Sequence, residues 1–275
     1  MSKKLFFALI LILLIYPQAR ASQEVPSERI VEQKLPTPGA ISGGEKGEWS
    51  FNSFYERSDV VQGSRNGRWD EVTNRLGYKY NNINWYGSVS KLQRFDDKDY
   101  TSNLGTFFEF KNYFIHEEVG VGWDVDFIYK IQNILEVGHK LYKNLYWSLG
   151  YNYRAYRVND THLIYPGLIY YFGDNYIGLD YGVTLIEGRG LSQYGVFKSD
   201  FALTKSLHWS FGTAIGQRLY DIYEYDPSKE YGYILFTGFN YNICKWADLR
   251  AGYSYGSENP KFIKRSFNFN LSLKF

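Results

Sequence analysis

Cysteine is almost absent: Cys244 is the single one in 275 residues, so no internal disulfide can form and a disulfide-stapled scaffold is excluded. Long apolar runs are equally scarce. Only Leu5 to Ile15 is continuous, and its eleven residues fall short of the ~20 a membrane-spanning helix needs. The four histidines, His116, His139, His162 and His208, show no metal-ligand spacing such as H-x3-H and no His-x-Ser pair. There is no phosphate-cradling glycine loop, and Asp96 to Asp99 is too short for a calcium loop. Charge is balanced, with 31 Lys and Arg against 29 Asp and Glu, which leaves no electrostatic case for a nucleic-acid partner. We therefore expect no metal, no cofactor and no enzyme.

What is present in excess is aromatic side chains, 20% of the chain, with 27 Tyr, 20 Phe and 7 Trp. They alternate with Asn, Ser, Gly, Arg and Glu almost residue by residue, as in strands whose two faces meet different surroundings. The final stretch is the clearest instance. Ile263, Arg265, Phe267, Phe269, Leu271, Leu273 and Phe275 share one face, and Lys264, Ser266, Asn268, Asn270, Ser272 and Lys274 share the other. A period of two over so many residues is incompatible with a helix.

The N-terminus reads as a signal peptide over residues 1–21: Lys3 and Lys4, the apolar run, then Ala19-Arg20-Ala21 as an A-x-A cleavage site. Its removal takes the formal charge from +2 to −1. Residues 22–47, with Pro26, Pro36, Pro38 and Gly43-Gly44, read as a flexible periplasmic leader. From Glu48 to Phe275 the alternation is unbroken, so we expect one domain over 48–275. Short polar turns at Asn81-Asn82, Lys111-Asn112, Lys143-Asn144, Gly173-Asn175, Thr204-Ser206 and Ile243-Lys245 separate runs of about ten residues. The intervening connections include longer charged ones, Ser58-Arg68, Asp96-Asp99, Asp221-Lys229 and Gly256-Lys261, and short ones at Asn159-Asp160 and Glu187-Gly190.

Ten-residue strands with two-faced alternation are what a tilted transmembrane strand needs, and a closed sheet pairs every backbone polar group without water. The expected fold is therefore all-β, a transmembrane antiparallel up-and-down barrel of about fourteen strands; twelve or sixteen follow from merging or splitting one hairpin. The short turns then lie in the periplasm and the cell outer membrane is the expected location. Trp49, Trp69, Trp85, Trp147, Trp209 and Trp246 near turns, with Trp123 at a strand end, fit interfacial girdles.

Phe267, Phe269, Leu271 and Leu273 leading to a terminal Phe275 resemble the C-terminal signal read by the barrel-assembly machinery, which implies Phe275 as the insertion signal and that machinery, with outer-membrane lipid, as partners. The stretch Val137-Gly138-His139-Lys140-Leu141, then Leu149-Gly150-Tyr151-Asn152-Tyr153-Arg154-Ala155-Tyr156, Tyr165-Pro166-Gly167 and Tyr181-Gly182 resembles the YaiO-type outer-membrane barrels. That resemblance implies a barrel like those of exopolysaccharide secretion porins. Many such chains carry tetratricopeptide repeats before the barrel, and none is seen here.

Assigning the apolar parity of each strand to lipid leaves Arg75, Glu109, Glu118, Glu136, Arg154, Asp180, Lys198, Asp200, Arg218 and Arg250 for the lumen. Charges costly on a lipid face are cheap in a wet interior. Two roles are open: salt-bridged networks that fill a narrow barrel, or the lining of a solute path in which Arg, Lys and Tyr bind a saccharide. We expect a pore for a saccharide or other polar solute, with a link to exopolysaccharide export. The alternatives are a non-transporting surface-interaction barrel and an outer-membrane hydrolase built on His116 with Glu117 and Glu118, or on Asp96, Asp97 and Asp99.

Overall fold

The computed structural model describes residues 47–275 except 189, 218–230 and 259–261. The expected signal peptide and leader, Arg218 and the Asp221-Lys229 connection all lie outside the described residues. Fourteen strands of 11 to 16 residues follow one another as hairpins. They are β1 (Glu48–Gln62), β2 (Arg65–Tyr80), β3 (Ile83–Arg94), β4 (Asp97–Glu109), β5 (Tyr113–Trp123), β6 (Ile131–Tyr142) and β7 (Leu145–Ala155). The second half comprises β8 (Asp160–Phe172), β9 (Asn175–Ile186), β10 (Gly190–Ala202), β11 (Leu207–Gln217), β12 (Tyr231–Cys244), β13 (Ala247–Glu258) and β14 (Phe262–Lys274). Each pairs antiparallel with its neighbours, and β1 pairs with β14, so the sheet closes on itself. The seam is sealed to its last residue. Trp49 N–H donates to the Phe275 carbonyl at 2.8 Å and Phe275 N–H to the Trp49 carbonyl at 2.9 Å.

The pleat sorts side chains as the alternation required. On β14 Phe267 and Phe269 are more than half exposed on the outside, whereas Ser266 and Asn268 are buried inside. Leu104, Val119, Leu179, Ile215 and Leu235 continue the apolar belt round the exterior. Trp49, Trp85, Trp209 and Trp246 stand outward at the end carrying the two- to four-residue turns, and Trp123 stands outward at the other end. Trp69 departs from this expectation. It faces inward and is buried between Phe95 and Phe262, because β2 starts four residues before it and parity then turns it into the barrel.

Two expected loops are strand instead. Ser58 to Arg68 is the top of a hairpin turning on Gly63 and Ser64, with Gly63 at φ 62°, and Asp97 to Asp99 opens β4. The charges that looked like loop residues sit on the outward face above the apolar belt. Arg57 lies opposite Asp70 and Asp59 opposite Arg68 in the register, and Arg68 Nε reaches Asp70 Oδ2 at 2.8 Å. Conversely, residues 124–130 between β5 and β6 form the longest described connection, which the turn pattern did not announce.

Glu117 is an outward-facing carboxylate within the belt. Ile115 and Val119 flank it along β5, and Thr106 and Leu135 lie opposite it on β4 and β6. A charge there is costly in lipid. Glu117→Leu should raise the stability of the membrane-inserted barrel by about 1 kcal/mol or more. Urea unfolding in vesicles measures this, and an unchanged or lower stability would place Glu117 against something other than lipid.

Candidate functional site

The candidate site is the lumen, whose contents differ from end to end. At the end away from the short turns, inward Val60, Trp69, Leu163, Ala214, Ile234 and Phe262 belong to one apolar cluster. Phe262 and Ala214 are 0% exposed and Val60 1%, so water does not reach this level. Large rings are accommodated because inward glycines lie beneath them: a Cβ at Gly150 would collide with the Tyr165 ring, and one at Gly105 with Tyr86.

The 124–130 connection folds into the same end. Its three consecutive backbone N–H groups at Asp126, Phe127 and Ile128 donate to the Asp99 carboxylate at 2.8 to 3.0 Å. Asp99 is fully buried, so these charge-assisted bonds replace the water it has lost. Gly122 N–H donates to the Lys130 carbonyl at 2.9 Å, and a Cβ at Gly122 would strike the Tyr129 carbonyl. The inward glycines Gly120 and Gly122 are thus the seat of this segment. Tyr129, its hydroxyl pushed up to about 12 by burial, stays protonated and donates to Asn103 Oδ1 at 2.8 Å. Arg94 lies over both Phe127 and Trp69, and Asp126 pairs with Arg157 at 2.8 Å. The segment is clamped to the wall on three sides.

Below it lies a polar layer built from the expected lumen residues. Tyr86 Oη donates to Glu118 Oε2 at 2.6 Å; its one proton being used, His116 Nε2 must donate to Tyr86 Oη at 2.7 Å. Glu118 Oε1 accepts from Gln132 Nε2, Gln132 Oε1 accepts from Arg154 Nε at 2.7 Å, and Arg154 Nη1 reaches Tyr156 Oη. Arg75 stacks on the Tyr86 ring at 4.4 Å, and Glu136 lies inward opposite His116. Asp180 pairs with Lys198 at 2.6 Å, Asp200 with His208 at 2.8 Å, and Glu56 with Lys264 at 2.7 Å. Glu109 pairs with Lys79 at 2.9 Å beside a short turn. Glu117 points away from His116 and Glu118, so those three side chains do not form one cluster.

At the short-turn end the two sides of the lumen diverge. On β4 to β9, Phe107, Phe114, Tyr146, Ile169, Tyr171 and Tyr176 form a packed aromatic wall. On β12 to β14 a recess of about 620 Å³ opens instead, with Arg250 in it and Asn240, Asn242 and Asn270 supplying amides. Arg250 is within electrostatic reach of the Tyr176 hydroxyl on the other wall. Nine of the ten lumen residues expected from sequence are therefore inward-facing, Arg218 being outside the described residues. Sequence reasoning missed Asp99 as an anchor, Tyr86 and Gln132 as network members, and the recess residues Lys245, Asp248 and Lys274. The signal for the inward segment was present in Gly120 and Gly122, both on the lumen parity.

No family model and no curated protein sequence matches the chain. Among solved structures it is similar to the CymD monoaromatic hydrocarbon channel, with a TM-score of 0.56 at 8% identity over 93% of this chain and 94% of that one. It is also similar to the outer-membrane protein Omp33 of Acinetobacter baumannii, with a TM-score of 0.52 at 13% identity over 83% of this chain and 99% of that one. The fold is that of outer-membrane β-barrels. At such identities the likeness extends to the fold alone.

The Asp99 anchor makes a direct prediction. Asp99→Asn should remove at least about 2 kcal/mol from the docking of residues 126–128, because two of the three bonds lose a charged acceptor. Hydrogen exchange of those three amides should accelerate by roughly 30-fold while the β1–β14 amides stay protected. Equal protection in the variant would mean that the apolar contacts of Phe127 and Ile128 hold the segment.

Proposed function

We propose that this chain is an outer-membrane channel for a polar solute, closed in this structure at its extracellular half by the inward segment 124–130 and open to the periplasm through the recess. The observation that carries the reading is the nature of the plug. The segment is a loop resting on one carboxylate and two glycines, and its removal breaks few of the ladder bonds that close the barrel. The polar layer below is satisfied residue by residue, so it lines a path without depending on the plug for its partners.

A saccharide suits the periplasmic end, where amides on β12 to β14 face Tyr171 and Tyr176 across the lumen: one wall hydrogen-bonds hydroxyls and the other presents rings. The link to exopolysaccharide export rests on the YaiO-type resemblance. Insertion by the barrel-assembly machinery through the Phe275 terminus follows from the same C-terminal pattern. The reading requires neither a cofactor nor a catalytic group. A second reading, a permanently sealed barrel that acts through its outer loops, is favoured by the apolar cluster around Phe262 and Val60, which has no counterpart in a wide water-filled pore.

Planar-bilayer conductance separates the two. The wild type should conduct weakly and rarely, whereas Gly122→Val, which forces the Tyr129 backbone off its seat, should raise unitary conductance several-fold. A variant that folds, shown by heat-modifiable gel mobility, but conducts no more than the wild type would leave the sealed barrel as the better account.

A further inference from the structure

Inward-facing cations deeper in the lumen are matched by carboxylates: Lys198 by Asp180, Lys264 by Glu56, and, beside a turn, Lys79 by Glu109. The recess breaks that balance. Lys245, Arg250 and Lys274 line it against the single carboxylate of Asp248, whose nearest approach to Lys274 Nζ is 3.8 Å. That distance is long for a charge-assisted bond, and the Lys274 side chain is half exposed. Three asparagines and Ser272 complete the lining with neutral donors and acceptors. A low-dielectric wall with a surplus of one sign of charge focuses potential into the space it encloses, and here the surplus is positive.

We propose that the recess is a binding site for an anionic polar ligand, one that presents a carboxylate or phosphate to Arg250 and Lys274 while its neutral hydroxyls meet Asn240, Asn242 and Asn270. This inference builds on the channel reading by naming the substrate class, an acidic solute entered from or delivered to the periplasm. Arg250 is the specificity determinant. Its guanidinium presents the forked donors that fit a carboxylate or phosphate, and it sits deepest of the three, next to Asn270 in the register. Lys245 lies at the β12–β13 turn and Lys274 at the end of β14, where they draw the anion to the mouth.

Cys244 provides a built-in reporter, since it is the sole cysteine of the chain and lines the same recess. In detergent-folded protein, the rates of Cys244 modification by anionic sulfonatoethyl and cationic trimethylammonioethyl methanethiosulfonate are each divided by the rate for free cysteine. The anionic reagent should be favoured about tenfold. Lys245→Gln with Lys274→Gln, both at the rim where folding does not depend on them, should abolish most of that preference. Oligogalacturonate should protect Cys244 and maltooligosaccharide of the same length should not. Protection by oligogalacturonate alone assigns the site to an acidic saccharide, and equal protection by inorganic phosphate or citrate assigns it to small anions in general. No charge preference, or equal protection by the neutral sugar, would overturn the proposal. Because labelling needs no conduction, anion-specific protection in a protein that never conducts would keep the site and sink only the channel reading.

Discussion

The pairing of every backbone N–H and C=O inside an apolar surrounding is the constraint from which the rest of this structure follows. A sheet meets it only by closing, and here the closure runs from the Trp49–Phe275 pair up the β1–β14 seam to Gln62 and Phe262. Closure by successive hairpins forces an even strand count, puts both ends of the barrel on one side and makes the turns of that side short. It also explains why the terminal residue matters physically: Phe275 donates and accepts a bond that would otherwise be open at the edge of the sheet.

Closure also creates a difficulty, since fourteen strands enclose more space than one layer of inward side chains fills. The chain answers it differently along the axis. Aromatic rings laid over glycines, as Tyr165 over Gly150 and Tyr86 over Gly105, thicken the wall where the neighbour is small. Charged residues fill the middle in closed sets, so that burying them leaves hydrogen-bonded networks rather than isolated charges. The 124–130 segment fills the extracellular end with backbone and with Ile128 and Tyr129. The β12–β14 side near the periplasm is left unfilled, and there charge balance is given up as well. Occlusion at one end and an open, positively lined recess at the other give the barrel a direction.

The alternation of β14 and the six short polar turns made the fold and its strand count legible in the sequence, because a period of two is local and survives closure unchanged. The inward or outward sense of Arg75, Glu118, Arg154, Asp180 and Lys198 followed from the same parity. What parity cannot carry is height. Arg57, Asp59, Arg68 and Asp70 read as a loop because charge was equated with turn, whereas they occupy strand that continues beyond the apolar belt. Trp69 read as a girdle residue because proximity to a turn was not checked against its face. Asp99 was visible only as part of an acidic run. Its role depends on backbone amides 27 to 29 residues away, a tertiary fact with no local signature. The glycines at 120 and 122 were the one clue, since two absent side chains on the lumen face imply that something else lies there.

The account's central claim is that water and solute reach the lumen from the periplasmic end and stop below the apolar cluster. Single cysteines placed in a Cys244→Ser background along the inward face of β14, at Ser272, Asn270, Asn268, Ser266 and Lys264, test it directly through their reactivity with a water-soluble thiol reagent. Ser272 and Asn270 border the recess, whereas Ser266 is fully buried. Reactivity should be high at positions 272 and 270 and fall sharply by position 266. Uniform reactivity along the strand would contradict the account and describe a continuous water-filled pore.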